Sequence, residues 1–202
     1  MGYSKASKAN THARIVEAAA RRFKERGVDG ISLADLMQDL KLTHGGFYKH
    51  FGSRDELVTE ALELAMKQSG EVMRKEGLGP DKPDLRRFVD FYLDETHRDG
   101  RADGCAVAAL AGDAPRKSAG VQAQFREHID GNLKALSELL QPGSPQEARG
   151  SAILVLCSLY GALMTARAVG DSPLSREILR TVRQRVLTLA APAKRGRVRA
   201  PN

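Results

Sequence analysis

Residues 31–57, ISLADLMQDLKLTHGGFYKHFGSRDEL, restrict this chain more than any other stretch. They crowd three helix starts into a span that leaves room only for small helices supporting one another. Ser32 is placed to accept the orphan amide three residues on, and Asp35 puts a negative charge at that helix N-terminus. Leu33, Leu36, Met37 and Leu40 follow at helical spacing and make one apolar face. Thr43 caps again, and residues 44–50 make barely two turns. Phe47 and Phe51, four apart, bury one side of that segment and leave His44, Gly45, Tyr48 and Lys49 outward. Ser53 with Glu56 reads as a capping box for the next helix. A helix this short is unstable alone, so its neighbours must hold it for what it presents.

Two short helices joined by a tight turn, the second showing small, aromatic and basic residues, describe a helix-turn-helix whose second helix enters the DNA major groove. Four runs carry a more specific likeness: Ser32-Leu33-Ala34-Asp35-Leu36, Leu42-Thr43-His44-Gly45, Phe47-Tyr48-Lys49-His50-Phe51 and Ser53-Arg54-Asp55-Glu56-Leu57. Together they resemble the DNA-binding domain of the tetracycline-repressor (TetR) family of bacterial transcription regulators, with close agreement over residues 11–64. Beyond that the resemblance is one of layout. Two positions depart from the family pattern. Lys41 stands where the turn usually has glycine, so a side chain must take a left-handed conformation at a cost of about 1 kcal/mol or the turn must differ. Arg54 stands where lysine is usual, keeping the charge but presenting a planar fork.

Each candidate DNA contact has a plainer alternative. Tyr48, Lys49, His50 and Arg54 read as phosphate contacts, against a core aromatic for Tyr48 and a solvated face for the others. His44, Gly45 and Gly46 sit at the helix start, where side chains or bare backbone approach base edges. Glycines there cost about 1 kcal/mol each relative to alanine, which fits a groove that needs room. Thr43 caps its helix and can also donate to a phosphate, and Ser32 is similar, with capping the main role. Charge agrees with a polyanion partner. The chain carries a net charge of +7, and residues 1–54 hold ten Lys/Arg against five Asp/Glu.

The remainder reads as all-α, about nine helices in total. Residues 1–52 are expected to form a three-helix DNA-binding domain, 53–192 a larger ligand-binding and dimerisation domain, and 193–202 a basic flexible tail. Residues 1–10 have no apolar period and read as a mobile arm; in the TetR family such arms sometimes reach the minor groove, and a solvated tail reads the same. The first helix is expected from a Thr11 cap to Gly27, with Ile15, Ala19 and Phe23 inward and Arg14, Arg21, Arg22 and Lys24 elsewhere. The fourth runs from Ser53 to about Lys75 and is the natural lever between the two domains. After a loop over residues 77–83, helices are expected over 84–97, 105–111 and 118–140, the last stopped by Gln141-Pro142-Gly143. Ser144-Pro145-Gln146-Glu147 is a strong start signal. The helix behind it, with AILVLCSLYGALMTA, is apolar around most of its circumference and needs two covering surfaces. The last helix begins at Ser172-Pro173 with a stripe of Leu174, Ile178, Val182, Val186 and Leu189. This final pair reads as half of a four-helix homodimer interface, which the resemblance also implies, against a simple monomer core.

The resemblance further implies a small-molecule effector in the larger domain. Phe91, Cys105, Phe125, Tyr160 and Met164 are candidates for its lining, each also explicable as core. Cys105 follows glycine at a helix start, where the dipole favours a thiolate. Some regulators of the family sense electrophiles or oxidants through a cysteine in a similar segment, whereas a small buried cysteine also packs without reactivity. Cys157, within the apolar run, serves as the comparison. The five histidines show no metal-binding spacing, and no catalytic or phosphate-loop motif occurs, so no enzyme, metal or cofactor is expected. Two cysteines and no signal-peptide pattern fit the cytoplasm, and no uninterrupted apolar run is long enough for a membrane span. The chain therefore reads as a ligand-responsive regulator, most simply a repressor released from palindromic double-stranded operator DNA. The alternative is a constitutive architectural DNA-binding protein without effector control.

Overall fold

The computed structural model describes residues 5–140 and 144–189. Ten α-helices and no strand occur among the described residues: α1 Lys5–Arg26, α2 Leu33–Asp39, α3 His44–Phe47, α4 Arg54–Met73, α5 Leu85–Tyr92, α6 Glu95–Asp99, α7 Ala106–Leu110, α8 Ala119–Leu140, α9 Pro145–Ala168 and α10 Pro173–Leu189. The expected stop at 141–143 and the basic tail at 193–202 lie outside these residues. α1 packs on α4, α4 on α8, α8 on α9 and α9 on α10, while α7 sits inside against α1, α4 and α9.

α1 starts at Lys5, so residues 5–10 are helix and not an arm. Thr11 is no cap: its Oγ1 donates to the Ser7 carbonyl at 3.0 Å inside the helix. Lys5, Ala6, Lys8 and Ala9 ahead of it are good helix formers, which extend the helix past the threonine despite Ser7 and Asn10. Ile15, Ala19 and Phe23 are buried as expected, and Gly27 ends the helix with φ 79°. Lys24 is also buried, at 4% exposure, and burial pushes its ammonium below the usual lysine range.

α4 is followed by a turn, Arg74–Leu78, in which Glu76 and Gly77 leave helical geometry, closed by a Gly79 amide to Arg74 carbonyl bond of 3.1 Å. Within it Gly77 has φ +116°, and a Cβ there would collide with the Asp84 carbonyl oxygen, so only glycine fits. The single helix expected over 84–97 is two. Leu93 leaves helical geometry, and the Asp94 carboxylate caps α6 by accepting from the Thr96 amide at 2.8 Å. The break turns His97 and Arg98 inward; both are buried.

α9 begins with the expected reciprocal Ser144–Glu147 capping box. By length and composition it is apolar enough to cross a membrane, yet it packs here between α8 and α10. One face, Ala152, Val155, Leu156, Leu159 and Leu163, is buried; Ile153, Leu154, Cys157, Gly161 and Met164 are exposed on the other. Cys157 is thus a surface cysteine, because an all-round apolar helix does not reveal which side its own chain covers. The expected stripe of α10 splits in the same way. Val186 is buried with Ser175 and Leu179, whereas Leu174 and Leu189 are exposed.

Candidate nucleic-acid interface

The helix-turn-helix is assembled by three local caps. Ser32 Oγ accepts from the Asp35 amide at 3.1 Å, Thr43 Oγ1 from the Gly46 amide at 3.2 Å, and Ser53 Oγ from the Glu56 amide at 3.1 Å. Glu56 closes back onto the Gly52 amide, at 2.6 Å, one residue earlier than a reciprocal box on Ser53 requires. Between α2 and α3 the chain turns through Lys41 at φ 57°, the left-handed conformation foreseen for it. The backbone there remains bonded, with Leu42 N donating to Met37 O at 2.9 Å.

The recognition segment is shorter in helix than expected. α3 covers four residues, and residues 48–50 form a tighter turn in which His50 N donates to Phe47 O at 2.8 Å. This tightening lets Phe47 and Phe51 stack, ring centroids 5.1 Å apart, with both rings buried. Pinned from below, the segment presents the opposite face. Tyr48 is 62% exposed and stands edge-on to Phe47 and His44, and His44, Gly45 and Lys49 are exposed beside it. The two glycines differ. A Cβ on Gly45 would meet nothing within 4 Å, so its bareness serves no packing within the chain, whereas one on Gly46 would press on the Thr43 cap at 3.2 Å.

Next to this face lies a cleft of about 890 Å³ between α1 and the motif, bordered by Lys5, Lys8, Lys41, Lys49, Thr43 and His50. Four lysines around one concavity concentrate positive potential where a polyanion would approach. The sequence does not mark Lys5 and Lys8 as part of such a cleft, because the segment carrying them has no apolar period to place it against the motif. His50 has Nδ1 buried without a hydrogen-bond partner, and its pKa lies below the usual histidine value through burial, then through His12, Lys8 and Lys49. His12 of α1 stacks on Phe51, centroids 4.3 Å apart, and bonds Glu60 of α4 at 2.7 Å, joining two helices and the end of the recognition segment. Ser32 and Arg54 are occupied within the chain. Ser32 Oγ donates to the Asp35 carboxylate, and Arg54 bonds the carbonyls of Val28 and Ile31.

The expected effector lining does not come together as one set. Cys105 is buried as the N-cap of α7, its Sγ accepting from the Ala108 amide at 3.4 Å. Tyr160, bonded through its hydroxyl to Asn132, lies beside Tyr92 with ring centroids 6.2 Å apart. Burial raises both phenols above the usual tyrosine range, and Tyr92 Oη has no partner. Phe125 is buried on α8. Phe91 borders a separate cleft of about 630 Å³ and stacks on His97, while Met164 is exposed on α9. Among the described residues no group of His, Cys, Asp and Glu is arranged to hold a metal.

Residues 15–61 match the family described as bacterial regulatory proteins, tetR family, and residues 83–184 match the C-terminal domain of LmrA/YxaF-like transcriptional regulators. An uncharacterised HTH-type transcriptional regulator of Mycobacterium tuberculosis is 27% identical over 166 residues, covering 78% of this chain and 84% of the relative. The HTH-type regulator TtgR of Pseudomonas putida is 43% identical over 53 residues, 26% of this chain and 25% of TtgR. In fold, a TetR-family regulator of Cytophaga hutchinsonii superposes with a TM-score of 0.75 over 91% of this chain and 94% of its own, at 18% identity. With the capped motif at one end and the helical domain at the other, the chain belongs to the TetR family of transcriptional regulators and carries its helix-turn-helix DNA-binding domain.

Proposed function

We propose that the protein is a repressor that binds a near-palindromic operator as a homodimer and is released by a small-molecule effector. The observation that carries this reading is the exposed Tyr48–Lys49 face, held by the buried Phe47–Phe51 stack and flanked by the lysine-lined cleft. In this reading residues 1–52 bind DNA and residues 53–192 bind effector and dimerise. Tyr48, Lys49 and His50 contact phosphates with Lys5 and Lys8, while His44 and Gly45 meet base edges. The exposed apolar face of α9 with Leu174 of α10 supports the dimer, since large apolar patches on a protein surface mark interaction sites. Two copies joined there would set their recognition segments about 34 Å apart, one helical turn of DNA. Met164 then belongs to that interface, leaving Cys105, Phe125 and Tyr160 in the interior and Phe91 at the separate cleft. Selection of bound fragments from random DNA tests the reading directly. A two-fold symmetric consensus with steeply salt-dependent affinity is expected; asymmetric or salt-independent binding would overturn it.

A further inference from the structure

We propose that the cleft between α4 and α8 is a binding site for a small zwitterion, a molecule with a carboxylate at one end and an ammonium group at the other. The cleft encloses about 490 Å³ and is bordered by Glu63 and Lys67 of α4, Arg74 just after it, and Gln124, Glu127 and His128 of α8. Its two ends differ in chemistry.

At the far end Gly70 leaves space over α4, and two basic side chains occupy it. Arg74 Nη1 lies 3.3 Å and His128 Cε1 3.5 Å from where a Gly70 Cβ would stand. The Arg74 guanidinium has no hydrogen bond or ion pair within the described chain, and His128 Nε2 is buried without a partner. The guanidinium donates, and His128 Nε2 donates in its Nε2-protonated tautomer; neither is bonded to an acid of the chain, which suits them to a carboxylate. At the near end Gln124 donates through Nε2 to the Thr59 carbonyl at 3.3 Å, and its Oε1 is buried and unpartnered. One turn along α4 from Thr59, the exposed Glu63 carboxylate borders the same end with no ion pair. An acceptor and an anion together take an ammonium group. Lys67 and Glu127, of opposite charge, border the cleft as well and leave its charge balanced. Glu63 and Gly70 are seven residues apart on one helix, about 10 Å, so the ligand's two ends are separated by a short carbon chain.

The site rests on its own geometry. Any effect of its occupancy on DNA rests on the repressor reading above, with the ligand bridging the end of α4 to α8. The full chain is to be titrated calorimetrically with γ-aminobutyrate, ε-aminocaproate and aminooctanoate, and with hexanoate and hexylamine as single-ended controls. Saturable binding with one preferred chain length is expected, at least tenfold tighter than either control. Glu63→Gln and Arg74→Gln should each weaken it at least tenfold while leaving the melting temperature of the free protein unchanged, since both side chains are exposed. Absence of saturable binding by all three amino acids, or binding that survives both substitutions, overturns the site. Binding that leaves operator affinity unchanged supports the site and overturns only its coupling to DNA, whereas the repressor reading falls with the selection experiment above.

Discussion

Arg54 Nη2 donates a 2.6 Å hydrogen bond to the main-chain carbonyl of Val28. The same nitrogen reaches Ile31 O at 3.4 Å, so the first residue of α4 clamps the connection between α1 and α2. The other fork nitrogen, Nη1, reaches Asp29 Oδ1 at 3.5 Å, so the planar guanidinium holds three groups of the connection at fixed angles, which a single ammonium nitrogen does not reproduce. Arg54→Ala is expected to cost about 1 kcal/mol, a charged hydrogen bond discounted for its partial exposure, and to lower the melting temperature by about 2–4 °C. Arg54→Lys should recover only part of this. Calorimetric melting of the three proteins checks the order.

The lysine cleft makes a separable claim about affinity. Lys5→Gln with Lys8→Gln should leave the melting temperature unchanged and reduce the slope of log affinity against log salt by about 0.9 for each phosphate that is no longer neutralised. Phe47→Ala should instead cost about 3–5 kcal/mol, because it empties the site of a wholly buried ring beneath the recognition segment. Fluorescence anisotropy across a salt series, run beside thermal melts, distinguishes the two behaviours.

His97 ties stability to acidity. Its Nε2 accepts from the Cys105 amide at 3.1 Å, so Nδ1 carries the proton and donates to Tyr92 O at 2.8 Å. Burial first, with Arg167 and Lys24 adding to it, pushes the pKa down to about 4. Between about pH 6.5 and 4 the unfolded chain therefore takes up a proton that the folded chain refuses. Stability rises with pH across that window and is lost as pH falls, by roughly 3 kcal/mol for this one group. His50 and His128 are shifted in the same direction. Urea titrations from pH 7 to 4.5 should show the decline, and His97→Gln should flatten it.

The uncovered side of α9 predicts assembly. Leu154→Glu places a charge among Ile153, Cys157 and Met164, all exposed in one chain. If the proposed dimer forms through this face, the substitution should leave a monomer by light scattering and weaken operator binding about 100-fold, because two half-sites are no longer engaged together. An unchanged mass would place the interface elsewhere.

How far the sequence could be read depends on whether the interaction concerned is local. The caps at Ser32, Thr43, Ser53 and Ser144 were legible because each is a side chain bonding an amide three residues on, and Phe47 and Phe51 because a four-residue spacing fixes one face. The left-handed Lys41 was legible only through the resemblance, because glycine is usual at that turn position, and a different turn stood as its alternative. Thr11 misled, since a threonine that caps and one that bonds backward inside a helix look alike in sequence. Burial of Lys24 and Arg98 was not legible, because their environment comes from remote segments; Arg98 bonds Ser175, 77 residues away, at 3.0 Å. The division of α9 into a covered and an uncovered side was hidden by its uniform apolarity. The cleft between α4 and α8 joins residues that share no motif.

The non-helical turn after α4, Arg74–Leu78, works as a fulcrum. Gly77 holds the change of direction, and Asp84 N returns to Gly77 O at 2.9 Å, so the main chain beyond α4 is tethered to its own bend instead of continuing the helix axis. A rotation of α4 therefore meets this tether at the start of α5 instead of running on along one axis. Besides that tether, a movement of α4 passes sideways, from side chain to side chain, across the flanks that it shares with α1, α7 and α8.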